Sequence, residues 1–199
     1  GKDGKSPGLP VVVLGGDEGD APLPEGCGAD LGAYLAEQDG AVVLDVSGFS
    51  KKKRKTIVAD LCEALFQGAK RRRVPRLVAF EESQLFVPQG FERGEERMIG
   101  AVTDIVRLGR NYGLGALLVS QRPQSVNKEV LNQVECLFVG QLRGPQERKA
   151  ILGWVTEQGQ DLRAQLAELP ALSVGEFFCW SPSWLRVFKK VKISPKSTF

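Results

Sequence analysis

Short apolar runs alternate with amphipathic stretches along most of the chain. Val11-Val12-Val13-Leu14 reads as a strand entering Gly15-Gly16 and a turn rich in Gly, Asp and Pro up to Pro24. Ala29 to Gln38 places Leu31, Tyr34 and Leu35 on one side, which predicts a short helix closed by Gly40. Ala41 to Leu44 is continuously apolar, with Val46 beyond Asp45, and predicts a strand covered on both faces. Ser50 caps a helix whose inward positions are Ile57, Val58, Leu61, Ala64 and Leu65. Arg76 to Phe80 is a second buried-type strand ending in Glu81-Glu82. Glu95 to Arg110 predicts a helix with Ile99, Val102, Ile105 and Val106 inward, stopped by Asn111-Tyr112-Gly113.

Further along, Ala116 to Ser120 reads as a strand, Asn127 to Gln133 as a short helix and Cys136 to Gly140 as another strand. Pro145 opens a helix that runs to Trp154, and a polar helix follows over Glu157 to Leu169. Glu176 to Trp180 and Leu185 to Val191 predict a closing hairpin across Ser181-Pro182-Ser183. Strands alternating with helices imply right-handed crossovers, hence an α/β fold with a mainly parallel sheet flanked by helices. No internal repeat interrupts that order.

The length of 199 residues, with 42% hydrophobic and 26% charged positions, suits one domain, or one with an appendage, that can bury a core. No apolar run approaches the ~20 residues that span a bilayer. Gly1 to Pro10 is polar and lacks the apolar centre of a secretory signal, so no membrane association is expected.

The formal charge of +3 conceals an asymmetry. Residues 11–50 contain no Lys or Arg, against Asp17, Glu18, Asp20, Glu25, Asp30, Glu37, Asp39 and Asp45. Two basic runs follow, Lys51-Lys52-Lys53-Arg54-Lys55 and Lys70-Arg71-Arg72-Arg73. Outside them the other 18 Lys and Arg are outnumbered by 24 Asp and Glu, so a polyanion would be met at a defined place. Lys51 to Lys55 occupy the first turn of a helix, where positive charge opposes the helix dipole unless phosphates or carboxylates lie nearby. They are candidate DNA contacts; a solvated helix end balanced by the acidic 11–50 segment is the plainer reading. Lys70 to Arg73 follow a helix end, where cations are favoured anyway.

Histidine is absent, which excludes His-based triads. Cys27, Cys62, Cys136 and Cys179 include no CxxC pair, which argues against zinc and suits free thiols in a reducing cytoplasm. Cys62 and Cys136 fall inside apolar patterns and read as small buried hydrophobes.

In open α/β sheets, ligands gather at the carboxyl ends of the strands. Glu81 there can hold magnesium through water, and Glu82 can orient an attacking water. Two solvated turn glutamates fit the same letters. Gln121, just past a strand, can donate its amide to a γ-phosphate or position water, or be a loop residue. Arg107 and Arg110 end a helix, where the dipole alone accounts for an arginine. On a turn flanked by Gly109 and Gly113, Arg110 can also reach a neighbouring subunit's phosphate as an arginine finger, with Arg107 as substitute.

As an ordered set, Glu81-Glu82, Gly109-Arg110-Asn111-Tyr112-Gly113-Leu114-Gly115 and Leu118-Val119-Ser120-Gln121-Arg122-Pro123 resemble the HerA/FtsK-like hexameric ATPases, most nearly the HerA branch. Asn127-Lys128-Glu129-Val130-Leu131 and Gly144-Pro145-Gln146-Glu147-Arg148 fit the same pattern. The resemblance covers roughly residues 41 to 180. It implies a RecA-like P-loop NTPase fold, with Glu81-Glu82 as Walker B pair, and a ring that uses ATP and magnesium to move double-stranded DNA through a central channel. Such a ring leaves room for a nuclease or effector partner.

Many members carry Ala then His after the acidic pair, where this chain has Ser83 and Gln84. Gly4-Lys5-Ser6 looks like the tail of a Walker A loop, but Pro7 and Gly8 disfavour the helix that should follow, and an ordinary turn is expected. The chain is therefore read as the C-terminal part of a motor domain, inactive alone. Residues 1–40 form a lead-in, 41–155 the core and 156–199 a helix and closing hairpin. The rival reading is a non-catalytic assembly or DNA-binding subunit on the same fold.

Overall fold

The computed structural model describes residues 11–13, 27–37, 42–157, 163–181 and 187–194. Gly4-Lys5-Ser6, the turn after β1, Trp184 and most of the hairpin turn lie outside the described residues. Two compact units emerge: Gly1–Phe80 with Phe91–Leu117, and Glu81–Gly90 with Leu118–Phe199.

In the first unit, β1 (Val11–Val13) pairs in parallel with β2 (Val43–Asp45). Helix α1 (Cys27–Glu37) lies against α2 (Lys51–Arg71). The approach depends on two glycines one helical turn apart. A Cβ on Gly28 would stand 2.6 Å from the Ile57 carbonyl oxygen, and one on Gly32 2.6 Å from the Ala64 Cβ. Ser50 caps α2 by accepting from the Lys53 amide at 3.4 Å, and Ile57, Val58, Cys62, Leu65, Phe66 and Ala69 form its buried stripe. Helix α3 (Glu96–Leu108) packs on α2 through Met98, Ala101, Val102 and Ile105. Arg97 of α3 reaches back to Asp60 at 2.6 Å and forks onto Glu63 at 2.9 and 2.6 Å.

Strand β3 (Arg76–Phe80) pairs with β4 (Leu114–Leu118). Gly113 lies against Val74 and Pro75, and Gly115 against Arg76 and Leu77, so the two strands run the same way. Among the described residues neither β2 nor β3 is covered on both faces, contrary to what their apolar runs suggested. Leu77 is 67% exposed and Val43 49%, whereas Phe80 is buried. A run of apolar residues shows that a strand is apolar; it does not show how many faces other elements cover.

In the second unit, β5 (Leu137–Val139) pairs antiparallel with β6 (Glu176–Ser181), which pairs antiparallel with β7 (Val187–Lys192). After the short α4 (Lys128–Leu131), which Asn127 caps, helices α5 (Pro145–Glu157) and α6 (Arg163–Ala167) contribute to its core, where Trp154 meets Trp180 edge to face at 5.0 Å. The rings of Phe178 and Phe188 stack at 5.5 Å. Of the polar helix expected over Glu157 to Leu169, residues 158–162 lie outside the described residues; α6 covers Arg163–Ala167, and a 3-10 turn follows at Leu169–Ala171. Cys62 is fully buried, and burial pushes its thiol up to about 12. Cys136 is half-buried, its sulfur 3.9 Å from that of Cys179, and its thiol is pushed up to about 11, chiefly by burial.

Candidate active site

The chain leaves β3 through Glu81, whose side chain is exposed, and turns sharply at Glu82. Glu82 has φ 52° and ψ 49°, the left-handed region, and is the single non-glycine with positive φ among the described residues. For a residue with a Cβ that conformation costs about 1–2 kcal/mol, so the surroundings must hold it. The holding bonds are visible. The Ser83 amide donates to the Val119 carbonyl at 2.8 Å, and the Leu85 amide to the Glu82 carbonyl at 2.8 Å. Phe86 and Val87 are buried, and the Val87 carbonyl accepts from the Asn127 amide at 2.9 Å. Gln89 donates its amide to the Ser125 carbonyl at 2.8 Å, and its side-chain carbonyl accepts from the Lys128 amide at 2.9 Å. The segment after β3 is thus stitched to the segment after β4, and Glu82 and Gln121 leave adjacent loops.

The Glu82 carboxylate is half-buried and accepts a hydrogen bond from the Gln84 amide nitrogen at 2.6 Å. The Gln84 carbonyl accepts from the Ser120 hydroxyl at 2.5 Å, and Ser120 Oγ accepts from the Arg122 amide at 2.9 Å. Gln121 is exposed between Ser120 and Arg122, and its side chain makes no hydrogen bond among the described residues. The sequence contains Gln84 and Ser120 but gives no sign that they join, because the contact spans 36 residues.

Arg107 and Arg110 belong to the first unit, Arg107 in the last turn of α3 and Arg110 in the 3-10 turn Gly109–Tyr112; both are exposed. That turn is firmly mounted. A Cβ on Gly109 would meet the Leu114 carbonyl oxygen at 2.8 Å, and Gly113 has φ 85°, which glycine adopts freely. The Tyr112 ring packs edge to face on Phe66 at 5.4 Å. Lys70 lies 4.5 Å from the Phe66 ring and Arg73 5.9 Å from that of Tyr112, so part of the second basic run serves as cation–π support.

The first basic run lines a cavity of about 440 Å³, with Lys51, Lys52 and Lys55 facing Arg93 and Arg97. The carboxylates that meet it come from the loop before α3. Lys51 contacts Glu92 at 2.7 Å and Glu95 at 3.4 Å, and Lys55 contacts Glu95 at 3.1 Å. Arg54 donates to the Ser47 and Phe49 carbonyls at 3.3 and 3.2 Å. Lys52 and Lys53 are exposed and form no ion pair among the described residues. Among the described residues the carboxylates that meet the run are Glu92 and Glu95, a pairing no local pattern announces, while Asp17, Glu18, Asp20, Glu25 and Asp39 of the acidic 11–50 segment lie outside the described residues.

No protein-family model matches the chain. It is 34% identical over 95 residues to the DNA double-strand break repair helicase HerA of Pyrococcus furiosus, matching 48% of this chain and 17% of that one. It is 31% identical over 139 residues to the probable helicase MJECL08 of Methanocaldococcus jannaschii, matching 70% of this chain and 25% of that one. The chain is HerA-like. It spans 17% and 25% of the length of these two relatives. The genome packaging NTPase B204 of Sulfolobus turreted icosahedral virus 2, solved with sulfate, superposes with a TM-score of 0.63 at 16% identity. That match covers 83% of the HerA-like chain and 72% of B204, and the shared fold is that of P-loop NTPases.

Proposed function

We propose that this chain is part of a ring-forming, ATP-hydrolysing DNA translocase or helicase of HerA type, with Glu81-Glu82 as its Walker B pair. The observation that carries the reading is Glu82, held left-handed at the end of β3 beside the loop that bears Gln121. Strain kept in place by surrounding bonds concentrates at working sites. Residues 41–155 supply the core of the motor, in a cytoplasmic protein. No helix among the described residues is long and apolar enough to cross a membrane.

In this reading the Glu82 carboxylate accepts a hydrogen bond from the attacking water and takes up its proton as the water oxygen bonds to the γ-phosphorus, while the bond from that phosphorus to the β,γ-bridging oxygen breaks and ADP leaves with its electron pair. Gln121, exposed and without a side-chain hydrogen bond among the described residues, donates its amide N–H to a γ-phosphate oxygen. Arg110, or Arg107 in its place, supplies positive charge to the site of the neighbouring subunit. Glu81 fits magnesium: it is exposed and makes no ion pair among the described residues, and magnesium keeps several waters while using one or two carboxylates. When bound, the ion neutralises charge on the phosphates. Exposed Lys52 and Lys53 carry the duplex contact of the Lys51 to Lys55 run, since Lys51 and Lys55 already face carboxylates.

Glu82→Gln tests the assignment in the full-length protein. The amide keeps the shape and the bond geometry but cannot take a proton. Turnover should fall by about 10²-fold or more while ATP affinity persists. Undiminished turnover removes Glu82 from the catalytic role.

A further inference from the structure

The Gln84 side chain is engaged at both ends. Its amide nitrogen lies 2.6 Å from Glu82 Oε2, and its carbonyl oxygen 2.5 Å from the Ser120 hydroxyl. The orientation of that amide follows from its neighbours. Turned over, it would set a carbonyl oxygen against a carboxylate oxygen, two acceptors with no proton between them. Ser120 in turn is fixed by the Arg122 amide, which donates to its Oγ at 2.9 Å. The relay therefore runs from the Glu82 carboxylate through Gln84 and Ser120 into the backbone on the far side of Gln121.

We propose that Gln84 is a positioning residue that ties the Glu82 carboxylate to the loop carrying Gln121, with Ser120 as the joint. The proposal rests on Glu82 being the water-orienting base. Glu82 is only half-buried, and no ion pair among the described residues aims its carboxylate. The Gln84 amide is what sets its direction. The group that orients water and the group that meets the γ-phosphate then share one hydrogen-bonded frame, so a displacement of the Gln121 loop turns the carboxylate as well. A carboxylate misplaced by about 1 Å forfeits much of its catalytic effect although the substrate still binds.

The test uses the full-length protein and four variants: Gln84→Leu, Gln84→His, Ser120→Ala and Glu82→Gln. Gln84→Leu keeps the volume and loses both bonds; its kcat should fall by about 10- to 100-fold, with KM for ATP and the affinity for a fluorescent ATP analogue within about twofold. Gln84→His, which can donate to Glu82 and accept from Ser120, should recover most of the loss. Ser120→Ala should fall between Gln84→Leu and the parent. Placed on Glu82→Gln, Gln84→Leu should add little in single-turnover measurements, since it acts through a carboxylate already removed. In nucleotide-free protein, amide exchange at Ser120 to Arg122 should quicken in both Gln84→Leu and Ser120→Ala.

Parental kcat in Gln84→Leu, or the same fold loss on the Glu82→Gln background, overturns the positioning role. So does a loss of ATP affinity and melting temperature in step with kcat, because that marks a merely structural residue. If Glu82→Gln itself turns over normally, the base assignment fails and the proposal fails with it. If Glu82→Gln is inactive while Gln84→Leu is not, only the positioning role is lost.

Discussion

Glu95 is a carboxylate buried between two lysines, and its ionisation bears directly on stability. The Glu92 amide donates to it at 2.9 Å and holds its carboxyl below the usual carboxylate range; burial opposes that shift, and Lys55 and Lys51 reinforce it. A carboxyl depressed in the folded state contributes stability that is fully present above its unfolded value of ~4.3. The contribution is lost as pH falls through the folded value. Glu95→Gln should therefore cost about 1–3 kcal/mol at pH 7 and show a shallower acid limb, the two proteins converging below pH ~4. Urea unfolding at pH 7 and pH 3 measures both quantities, and parallel stability curves would show that Glu95 has no such role. The same residue explains how a helix can open on Lys51-Lys52-Lys53. The charge that would oppose the dipole of α2 is partly cancelled by Glu92, 41 residues from Lys51, and by Glu95.

At the scale of elements, helical periodicity carried most of the legible information. Ile57, Val58 and Leu65 of α2 and Val102 and Ile105 of α3 could be read because the 3.6-residue period places them on one stripe, and Ser50 announced its cap by residue type. Leu61, Ala64, Ile99 and Val106, expected inward with them, are half-buried, while Phe66, Ala69, Met98 and Ala101 are buried. Strands were less legible. β4 starts at Leu114, two residues before the expected Ala116, because Gly113-Leu114-Gly115 reads as turn while Leu114 is buried. The close approach of α1 to α2 at Gly28 and Gly32 could not be foreseen, since a glycine's use depends on what it faces. Of the site, Glu82 and Gln121 were visible as strand-end residues. The left-handed turn at Glu82, the Gln84 relay and the Tyr112 mount were not, for each depends on a partner distant in sequence. The basic run sharpens in the same way. Five charges read alike as letters, but Lys51 and Lys55 are engaged by carboxylates and Arg54 by carbonyls. If the run meets duplex DNA, Lys52→Ser with Lys53→Ser should flatten the dependence of log affinity on log salt by up to roughly two contacts, at about −0.9 each. Lys51→Ser with Lys55→Ser should change that slope less while lowering stability, as Glu95 is left unpaired. Equal slopes for the parent and Lys52→Ser/Lys53→Ser would place the DNA path elsewhere.

At the scale of the assembly, the roles assigned to Glu82 and Arg110 fall in different compact units, and the ring reading sets them to work across subunits. A head-to-tail ring repeats one interface, so each ATP site would be completed by the finger of its neighbour. The Arg110 turn has the rigidity a finger requires: Gly109 packs against Leu114, and Tyr112 is fixed on Phe66. Arg110→Ala should then abolish turnover although the subunit keeps its own Glu82, and Glu82→Gln should do so although its own finger is intact. Neither variant is complete, yet in a mixed ring the pocket of one can meet the finger of the other. With equal amounts, random assembly and independent sites, about one quarter of the interfaces pair an intact pocket with an intact finger, and activity should return toward that fraction. A finger acting within its own subunit would leave every subunit deficient, and mixing would restore nothing. The experiment requires that both variants form rings and exchange subunits, which sizing by light scattering and a labelled-subunit exchange assay establish beforehand. Mixed rings of normal size with no recovered ATPase activity would therefore rule out the trans role of Arg110, and the same mixing with Arg107→Ala would show whether Arg107 is the finger instead.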